Sequence, residues 1–264
     1  MKTLILSAGL ALSVAAGATA ADGPHWSEPI TPEVFRTWIE SRSGAGEPVW
    51  WYSVGTVRDY PSGEVRYVME GWDASTAHWP EGEDGGVAHQ YNRKIYIFRD
   101  PETGEVVPES QAVAYPYQFI TYEMDGEGGL KTRVEQGSGD RLLALEDDSL
   151  SYRRLGDTQV FTAPVFIDFP IPGSEARIQA WENYDFFIHP QGTVEEPHQL
   201  SWARVGRLAP WAGGGEAVFH LITWRVEDYD ALPATMRAYV EAEAPLWMNP
   251  PADLAEIRAL QAGD

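Results

Sequence analysis

One histidine of this sequence stands where a general base could work. His220 lies in the segment Val-Phe-His-Leu-Ile-Thr-Trp, whose alternating pattern predicts a β-strand. Residues two apart in a strand share a face, so His220, Ile222 and Trp224 point the same way. Apolar neighbours disfavour the charged imidazolium, which suits a base near neutral pH. A core histidine bonded to a backbone carbonyl would give the same pattern.

The preceding predicted strand carries a tryptophan and an arginine on one face, Trp202 and Arg204. The glycines at 213–215 would allow this strand to pair with the strand that carries His220. We therefore expect His220, Trp202 and Arg204 to line one pocket. One of the candidate arginines would stabilise a developing anion or carbonyl.

A second group of ionisable residues could also transfer protons. Glu182 and Tyr184 share a face of another predicted strand, and a carboxylate beside a phenol in a dry site can act as an acid/base pair. An exposed carboxylate beside a half-buried tyrosine is the alternative. His89, Tyr91 and Arg93 form a further polar stripe, in which His89 is the other candidate base.

Aromatic residues are abundant, with 11 Trp and 12 Tyr, and many lie in predicted strands. Each presents an apolar face and one hydrogen-bonding tip, which suits the wall of a pocket. Arg93 and Arg153 could each pair with a buried acid or bind a substrate carboxylate bidentately. Core packing and surface ion pairs are the alternatives. The residues predicted to bind the substrate are Trp51, Trp202, Arg204, Trp224, Tyr91, Arg93 and Arg153.

Short alternating segments separated by turn residues predict ten to twelve strands between Pro48 and Glu227, including 64–72 and 105–107. This pattern predicts a mainly β fold, a single antiparallel barrel-like domain, with a β-sandwich as the alternative. A helix is predicted at 31–42, where Thr31 is a suitable N-cap. Two C-terminal helices are predicted at 230–241 and 253–261. We expect the three helices to cover an open end or a seam.

The first twenty residues have the pattern of an export signal. Lys2 is followed by an apolar run to Ala16 and by the small residues Ala18-Thr19-Ala20, typical of a cleavage site. The prediction is a signal peptide at 1–20 and one β-rich domain at 21–264. The mature protein would be periplasmic or secreted and would have no membrane anchor.

Composition excludes several classes of site. The absence of Cys rules out thiol catalysis and cysteine-based metal centres. A formal net charge of −21 repels nucleic acid, which is not expected as a partner. The sequence contains no His-Glu-x-x-His, no nucleotide-binding glycine fingerprint and no Gly-x-Ser-x-Gly. We therefore predict neither a metal nor a cofactor. A metal site assembled from His and acid residues of separate strands stays open, as does the oligomeric state.

Several stretches, taken in order, carry a family resemblance. They are 49–55, 70–72, 99–105, 202–206 with Pro210-Trp211, the glycines 213–215, 218–220, Leu232-Pro233 and Pro250-Pro251. Their order and spacing resemble domain-of-unknown-function family 1838 over nearly the whole predicted mature chain. The resemblance implies a bacterial or fungal protein, often exported. It supplies no settled reaction and no catalytic residues.

These observations predict an exported, cofactor-independent enzyme that acts on a small hydrophobic or aromatic metabolite by acid/base chemistry, as a lyase, isomerase or hydrolase. His220 or His89 would be the base, and Tyr184 or Glu182 the proton partner. The alternative is a periplasmic, lipocalin-like carrier of a small hydrophobic ligand. A protein-interaction module that works through its acidic surface is a third reading.

Overall fold

The computed structural model describes residues 27–82, 85–107, 113–138, 141–147, 150–170, 177–193, 195–208 and 210–262. The predicted signal peptide, residues 1–20, lies outside the described residues. Within these ranges, no helix is long and apolar enough to cross a bilayer.

The described chain forms three α-helices and eleven strands. The helices are α1 (Pro32–Ser43), α2 (Ala234–Glu243) and α3 (Leu254–Ala262). The strands are β1 (Val49–Asp59), β2 (Val65–His78), β3 (Val87–Arg99), β4 (Val113–Met124), β5 (Leu130–Ser138), β6 (Arg141–Asp147), β7 (Ser151–Leu155), β8 (Thr158–Pro170), β9 (Arg177–Ile188), β10 (Gln199–Arg207) and β11 (Glu216–Val226).

All eleven strands belong to one sheet, in the order β6-β5-β4-β3-β2-β1-β11-β10-β9-β8-β7, and every pair is antiparallel. β6 and β7 are the two edges, yet only four peptide links join Asp147 of β6 to Ser151 of β7. Such a link reaches at most about 14 Å, so the sheet must curl until its edges approach each other. The predicted mainly β, barrel-like fold is confirmed, and a sandwich of two sheets is not what these strands form.

Helix α1 plugs one end of the curled sheet. Thr31 caps it as predicted, because its hydroxyl accepts a hydrogen bond from the Val34 backbone N–H at 3.3 Å. The apolar face of α1 packs against side chains from strands around the curl. Trp38, for example, contacts Phe161 and Phe186 with ring centroids 4.7 and 4.8 Å away. This end of the interior is therefore an apolar core.

The segment before α1 helps to hold the two edges together. The Glu28 backbone N–H donates to the Tyr152 carbonyl of β7 at 2.7 Å. Two residues later, the Ile30 N–H donates to the Gly128 carbonyl in the β4–β5 turn at 2.8 Å. The segment before α1 thus links edge strand β7 to the β4–β5 turn.

The C-terminal helices cover the outer face of the sheet, not an open end or the seam, so that part of the prediction was wrong. Met236 and Val240 of α2 pack on Trp72 of β2, and Ile257 of α3 packs on Tyr91 of β3. Because a helix over a sheet face buries it, aromatic residues are buried on both faces of β2 and β3.

Two predicted elements differ from those observed. The segment 105–107 makes only an isolated bridge, at Val106, and is not a strand. The predicted helix at 230–241 is divided at Pro233, with a short 3-10 turn at Tyr229–Ala231 and α2 beginning at Ala234. Proline has no N–H to donate and so stands at a helix start.

One histidine at the plugged end should make stability depend on pH. His198 stacks on Trp51 at 6.5 Å, and its Nδ1 accepts the His189 backbone N–H at 3.2 Å. Burial, together with the positive charges of Arg225 and His189, lowers the pKa of His198 to about 4. A neutral imidazole is needed to accept that hydrogen bond, so the geometry and the pKa agree.

We expect His198 to destabilise the fold in mild acid. The unfolded chain takes up its proton near pH 6.5 and the folded chain only near pH 4, so the stabilisation is complete above about pH 6.5 and is lost as pH falls towards 4. Between pH 7 and 4.5, urea unfolding of the wild type should lose on the order of 2 kcal/mol more than that of His198→Gln. Identical pH dependence in both proteins would contradict this assignment.

Candidate functional site

The interior of the curled sheet consists of two apolar layers with a polar layer between them. One apolar layer surrounds α1, and the other, at the far end, contains Val57, Phe98 and Phe219. Strand alternation and register place a set of polar side chains between these two layers. We call this set the middle layer: Arg42, Ser53, Asp73, Lys94, Tyr96, Tyr115, Glu182, Tyr184, Trp202, Arg204 and Thr223.

Glu182 is the centre of one half of the middle layer. Its Oε1 accepts from an Arg204 terminal nitrogen at 2.6 Å, and its Oε2 accepts from the Tyr184 hydroxyl at 2.5 Å and the Trp202 indole N–H at 3.3 Å. The register explains this convergence, because Arg204 lies opposite Glu182 and Trp202 opposite Tyr184 on neighbouring strands. A carboxylate offers about four acceptor positions, so one remains for another partner.

A second carboxylate–phenol pair forms the other half. Asp73 accepts from the Tyr96 hydroxyl at 2.8 Å and from an Arg42 terminal nitrogen at 3.2 Å. Lys94 adds a cation, with its Nζ 3.6 Å from the Asp73 carboxylate. The middle layer thus contains two carboxylates, each bonded to one tyrosine and paired with at least one cation.

Both phenols are held in their protonated form. Burial raises the pKa of Tyr184 well above its ordinary value, and the Glu182 carboxylate raises it further. Burial and the Asp73 carboxylate do the same to the pKa of Tyr96. Both hydroxyl groups are therefore protonated at neutral pH before any reaction.

The two halves act on each other electrostatically. The charge of Asp73 also contributes to the raised pKa of Tyr184. Burial raises the pKa of Tyr115 on β4, where Glu182 adds to the rise and Arg204 opposes it. Tyr115 lies opposite Lys94 in the sheet register, so it belongs to the Lys94 side of the interior while the charges of Glu182 and Arg204 act on it. The two halves are therefore close enough to interact across the interior.

Hydroxyl and amide groups extend this polar interior. The Ser53 hydroxyl lies 3.2 Å from the Tyr96 hydroxyl and 2.7 Å from that of Thr223. Along β2, β3 and β4, a buried chain joins Tyr122 to Gln90 at 2.8 Å, Gln90 to Ser75 at 2.8 Å, Ser75 to Asn92 at 3.1 Å and Asn92 to Gln118 at 2.5 Å. These groups satisfy one another's hydrogen bonds, as buried polar groups must, and they make the interior between the two apolar layers polar.

Two cations of the middle layer face solvent more than the acids do. The side chains of Arg204 and Lys94 are 24% and 17% exposed, whereas Glu182 and Asp73 are 8% and 6% exposed. A crevice of about 370 Å³ lies elsewhere, beside the start of α1, and is lined in part by Glu28 and Tyr152. The crevice lining also contains two glutamates, Tyr152 and Arg154, but Glu28, Glu33 and Arg154 are exposed to solvent. The middle layer differs in that its two carboxylates are buried and bonded to phenols.

Four of the predicted site residues come together: Glu182, Tyr184, Trp202 and Arg204. The predicted grouping of His220 with Trp202 and Arg204 was wrong. Trp202 lies opposite Leu221, and His220 opposite Ala203, so the two sets point to opposite faces. His220 is exposed on the outer face, where its Nε2 lies 3.4 Å from the Ser201 hydroxyl.

The stripe His89, Tyr91 and Arg93 shares a face as predicted, but this is the outer face. Arg93 is buried beneath α3, where its Nε donates to the Pro116 carbonyl at 2.8 Å and its terminal nitrogens bond the Asn249 carbonyl and the Glu256 carboxylate. Burial and the neighbouring His78 lower the pKa of His89. Arg93 is thus a structural anchor for the C-terminal segment, away from the middle layer.

The remaining predicted residues lie outside the middle layer too. Trp51 is 1% exposed within the apolar layer around α1, and its indole N–H donates to the Arg42 carbonyl at 3.0 Å. Trp224 lies on the outer face opposite Tyr52, and Arg153 lies on edge strand β7 on the face opposite to Tyr152. Their predicted role in binding substrate gains no support from these positions.

The sequence reasoning missed half of the middle layer because it ended β2 too early. Asp73 follows the predicted end of that strand at Trp72, but β2 continues to His78. Aspartate is unfavourable in strands, and here the pairing with β1 and β3 overrides that preference. The available signal was Ser53, a polar residue two positions after Trp51 on the same face. In the part of the chain that the structure describes, no three His, Asp or Glu side chains gather as metal ligands.

Comparison with known proteins gives one match. Residues 168–260 match the model of a family described as a protein of unknown function, DUF1838. The match confirms the predicted family and spans Glu182, Tyr184, Trp202 and Arg204, while Asp73 and Tyr96 lie before it. No curated protein and no solved structure matches the chain.

Proposed function

We propose that this protein is an exported enzyme that transfers protons on a small apolar or aromatic molecule without a cofactor. Its residues 168–260 match the DUF1838 family model. One observation carries this proposal: Glu182 accepts three hydrogen bonds in a buried layer and keeps one acceptor position free. A carboxylate, a protonated phenol and a guanidinium converging on one point are the parts of an acid/base site.

The free Oε1 position of Glu182 is the proton acceptor. A proton leaves a substrate carbon next to a carbonyl, and its electron pair moves to the carbonyl oxygen. Arg204 and Lys94 supply positive charge near that developing oxyanion. Return of the proton to another atom gives an isomerase, and departure of a group from the neighbouring carbon gives a lyase.

Tyr184 and Tyr96 serve as the donors. Both hydroxyls hold their protons at neutral pH, that of Tyr184 beside Glu182 and that of Tyr96 beside Asp73. A donor opposite an acceptor allows the proton to leave from one side of a substrate while another arrives from the other side. The Trp202 ring, which packs against both apolar layers, would contact the apolar body of the substrate.

A carrier remains the competing function, and the polar middle layer argues against it. A carrier of a hydrophobic ligand is expected to have an apolar cavity with few polar groups. Here two carboxylates, three cations and three phenols lie between the apolar layers. Such a concentration of ionisable groups in a protein interior is typical of catalysis.

Tyr184→Phe tests the proposal. Wild-type protein is incubated in D₂O with a panel of aromatic and branched ketones, 2-oxo acids and enoic acids, and ¹H NMR follows both deuterium incorporation and product. We expect turnover of at least one compound and a rate about 10²-fold lower in Tyr184→Phe, the effect of losing a general acid. Tyr60→Phe is the matched control, since Tyr60 is 60% exposed in a turn.

Two outcomes would contradict the proposal. A compound that binds and is recovered unchanged and undeuterated would make the protein a carrier. If Tyr60→Phe and Tyr184→Phe reduce turnover equally, the middle layer takes no part in the reaction.

A further inference from the structure

One donor of the middle layer has no acceptor. The Arg204 Nε is buried and has no hydrogen-bond partner among the described residues. Glu182 occupies a terminal nitrogen of the same guanidinium at 2.6 Å. Buried N–H groups in proteins are nearly always bonded, so this one points to a partner that the described residues do not supply.

The guanidinium is fixed in place. Besides the bond to Glu182, its central carbon lies 5.8 Å from the ring centre of Phe219, a cation–π contact. Glu182 is in turn fixed by Tyr184 and Trp202. A rigid guanidinium whose Nε edge is free matches the two oxygens of a carboxylate, which bind such an edge through parallel hydrogen bonds.

The charge of the middle layer also favours an anion. It contains three cations, Arg42, Lys94 and Arg204, against the two carboxylates of Asp73 and Glu182, an excess of one positive charge. The whole chain carries −21, so this layer is opposite in sign to the molecule around it. Because Arg204 and Lys94 are only partly exposed, this excess of positive charge is incompletely solvated, and one bound carboxylate would balance it.

The side chains around the Arg204 guanidinium indicate what the rest of a bound carboxylic acid should be like. Trp202 and Phe219 lie beside the guanidinium, with their ring centres 6.1 Å apart, and both pack against the far apolar layer. An apolar body attached to the carboxylate would lie against these rings.

We infer that the substrate is a small carboxylic acid with an aromatic or apolar body, and that the free Nε edge of Arg204 binds its carboxylate. The statement that this acid is a substrate rests on the proposed function, whereas its binding to Arg204 can be measured without turnover. Arg204 is then a substrate-binding residue that determines specificity, and Lys94 supplies further positive charge on the opposite side.

The test compares acids with their neutral amides. Benzoate, phenylacetate and cinnamate, each beside benzamide, phenylacetamide and cinnamamide, are titrated into the full-length protein by isothermal calorimetry at low salt. We expect at least one acid to bind about tenfold or more tightly than its amide, as one charge-assisted pair of hydrogen bonds provides. Arg204→Lys keeps the charge but loses the fork, and it should weaken that acid about tenfold.

Arg177→Lys is the matched control, because Arg177 makes an exposed ion pair with Asp168 on neighbouring strands. It should bind the acid as the wild type does. Circular dichroism and the melting temperature of Arg204→Lys show whether the variant is folded. If that variant does not fold, the wild type alone provides the test. Tighter binding of the acid than of its amide, lost on adding 0.5 M chloride, then supports the inference.

The inference is overturned if no acid binds more tightly than its amide, or if Arg204→Lys and Arg177→Lys bind alike. These failures differ from failure of the proposed function. If acids bind at Arg204 but are never converted, the binding inference holds and the proposed enzymatic function is wrong. If neutral molecules are converted equally well by the wild type and Arg204→Lys, the binding inference is wrong and the proposed enzymatic function holds.

Discussion

Glu182→Gln is expected to lower turnover about 10²- to 10⁴-fold while the protein remains folded. Glutamine has nearly the same shape, and its carbonyl can still accept from Arg204. It cannot take up a proton from a substrate, and its amide nitrogen has no acceptor to offer to Tyr184. The loss should appear in kcat, measured at saturating concentration of any compound that the wild type converts.

Asp185→Asn is the control for that variant. Asp185 neighbours Tyr184 on β9, but it points to the outer face, where it accepts from Thr162 at 2.7 Å and Asn183 at 2.6 Å. The chemical change is the same and the interior is untouched, so activity should stay within about twofold of the wild type. An equal loss in both variants would mean that the removed charge acts through overall stability alone.

The largest effect on stability is expected from Trp51→Ala, at about 3–5 kcal/mol. Trp51 is 1% exposed and lies between the ring of Phe186, at 6.0 Å, and the guanidinium of Arg42, at 5.8 Å. Its removal leaves a cavity at the plugged end and takes the indole donor from the carbonyl of Arg42. Urea unfolding at pH 7 measures the difference in free energy of unfolding.

Trp181→Ala is the matched control on the outer face. Trp181 is 37% exposed, and its loss should cost less than about 1 kcal/mol. If Trp51→Ala proved as mild as Trp181→Ala, the layer around α1 would not be the close-packed core described above. Retained turnover in a folded Trp51→Ala protein would agree with placing Trp51 outside the site.

Patterns within single elements predicted much of the fold. The cap at Thr31, the helix that follows it and the strand-rich middle of the chain could all be predicted from local chemistry. The shared face of Glu182 and Tyr184 followed from alternation alone, and the structure places those two side chains 2.5 Å apart.

What could not be predicted was the relation between elements. His220 and Trp202 were each assigned correctly to a face of their own strand, but the register between the strands was unknown. A shift of one residue exchanges the faces, and the observed pairing of Trp202 with Leu221 separates the two residues. Pairing between strands depends on the whole sheet, so a sequence read strand by strand does not contain it.

The abundance of aromatic residues misled for a related reason. Burial of Trp50 and Trp72 under α2 on one face, and of Trp51 within the interior on the other, makes both faces of β1 and β2 rich in aromatic rings. Composition therefore could not distinguish a pocket wall from a covered outer face. The polar residues Asp73 and Ser53, which interrupt that pattern on the inner face, identify the site.

The most direct measurement is a crystal structure of the protein with a bound small molecule, either co-purified or chosen from the titrations. Our account predicts density in the middle layer, with one oxygen of the molecule within about 3 Å of Arg204 Nε and a carbon or hydroxyl facing Glu182 Oε1. Density in the crevice beside the start of α1, with the middle layer closed by its own side chains, would contradict it.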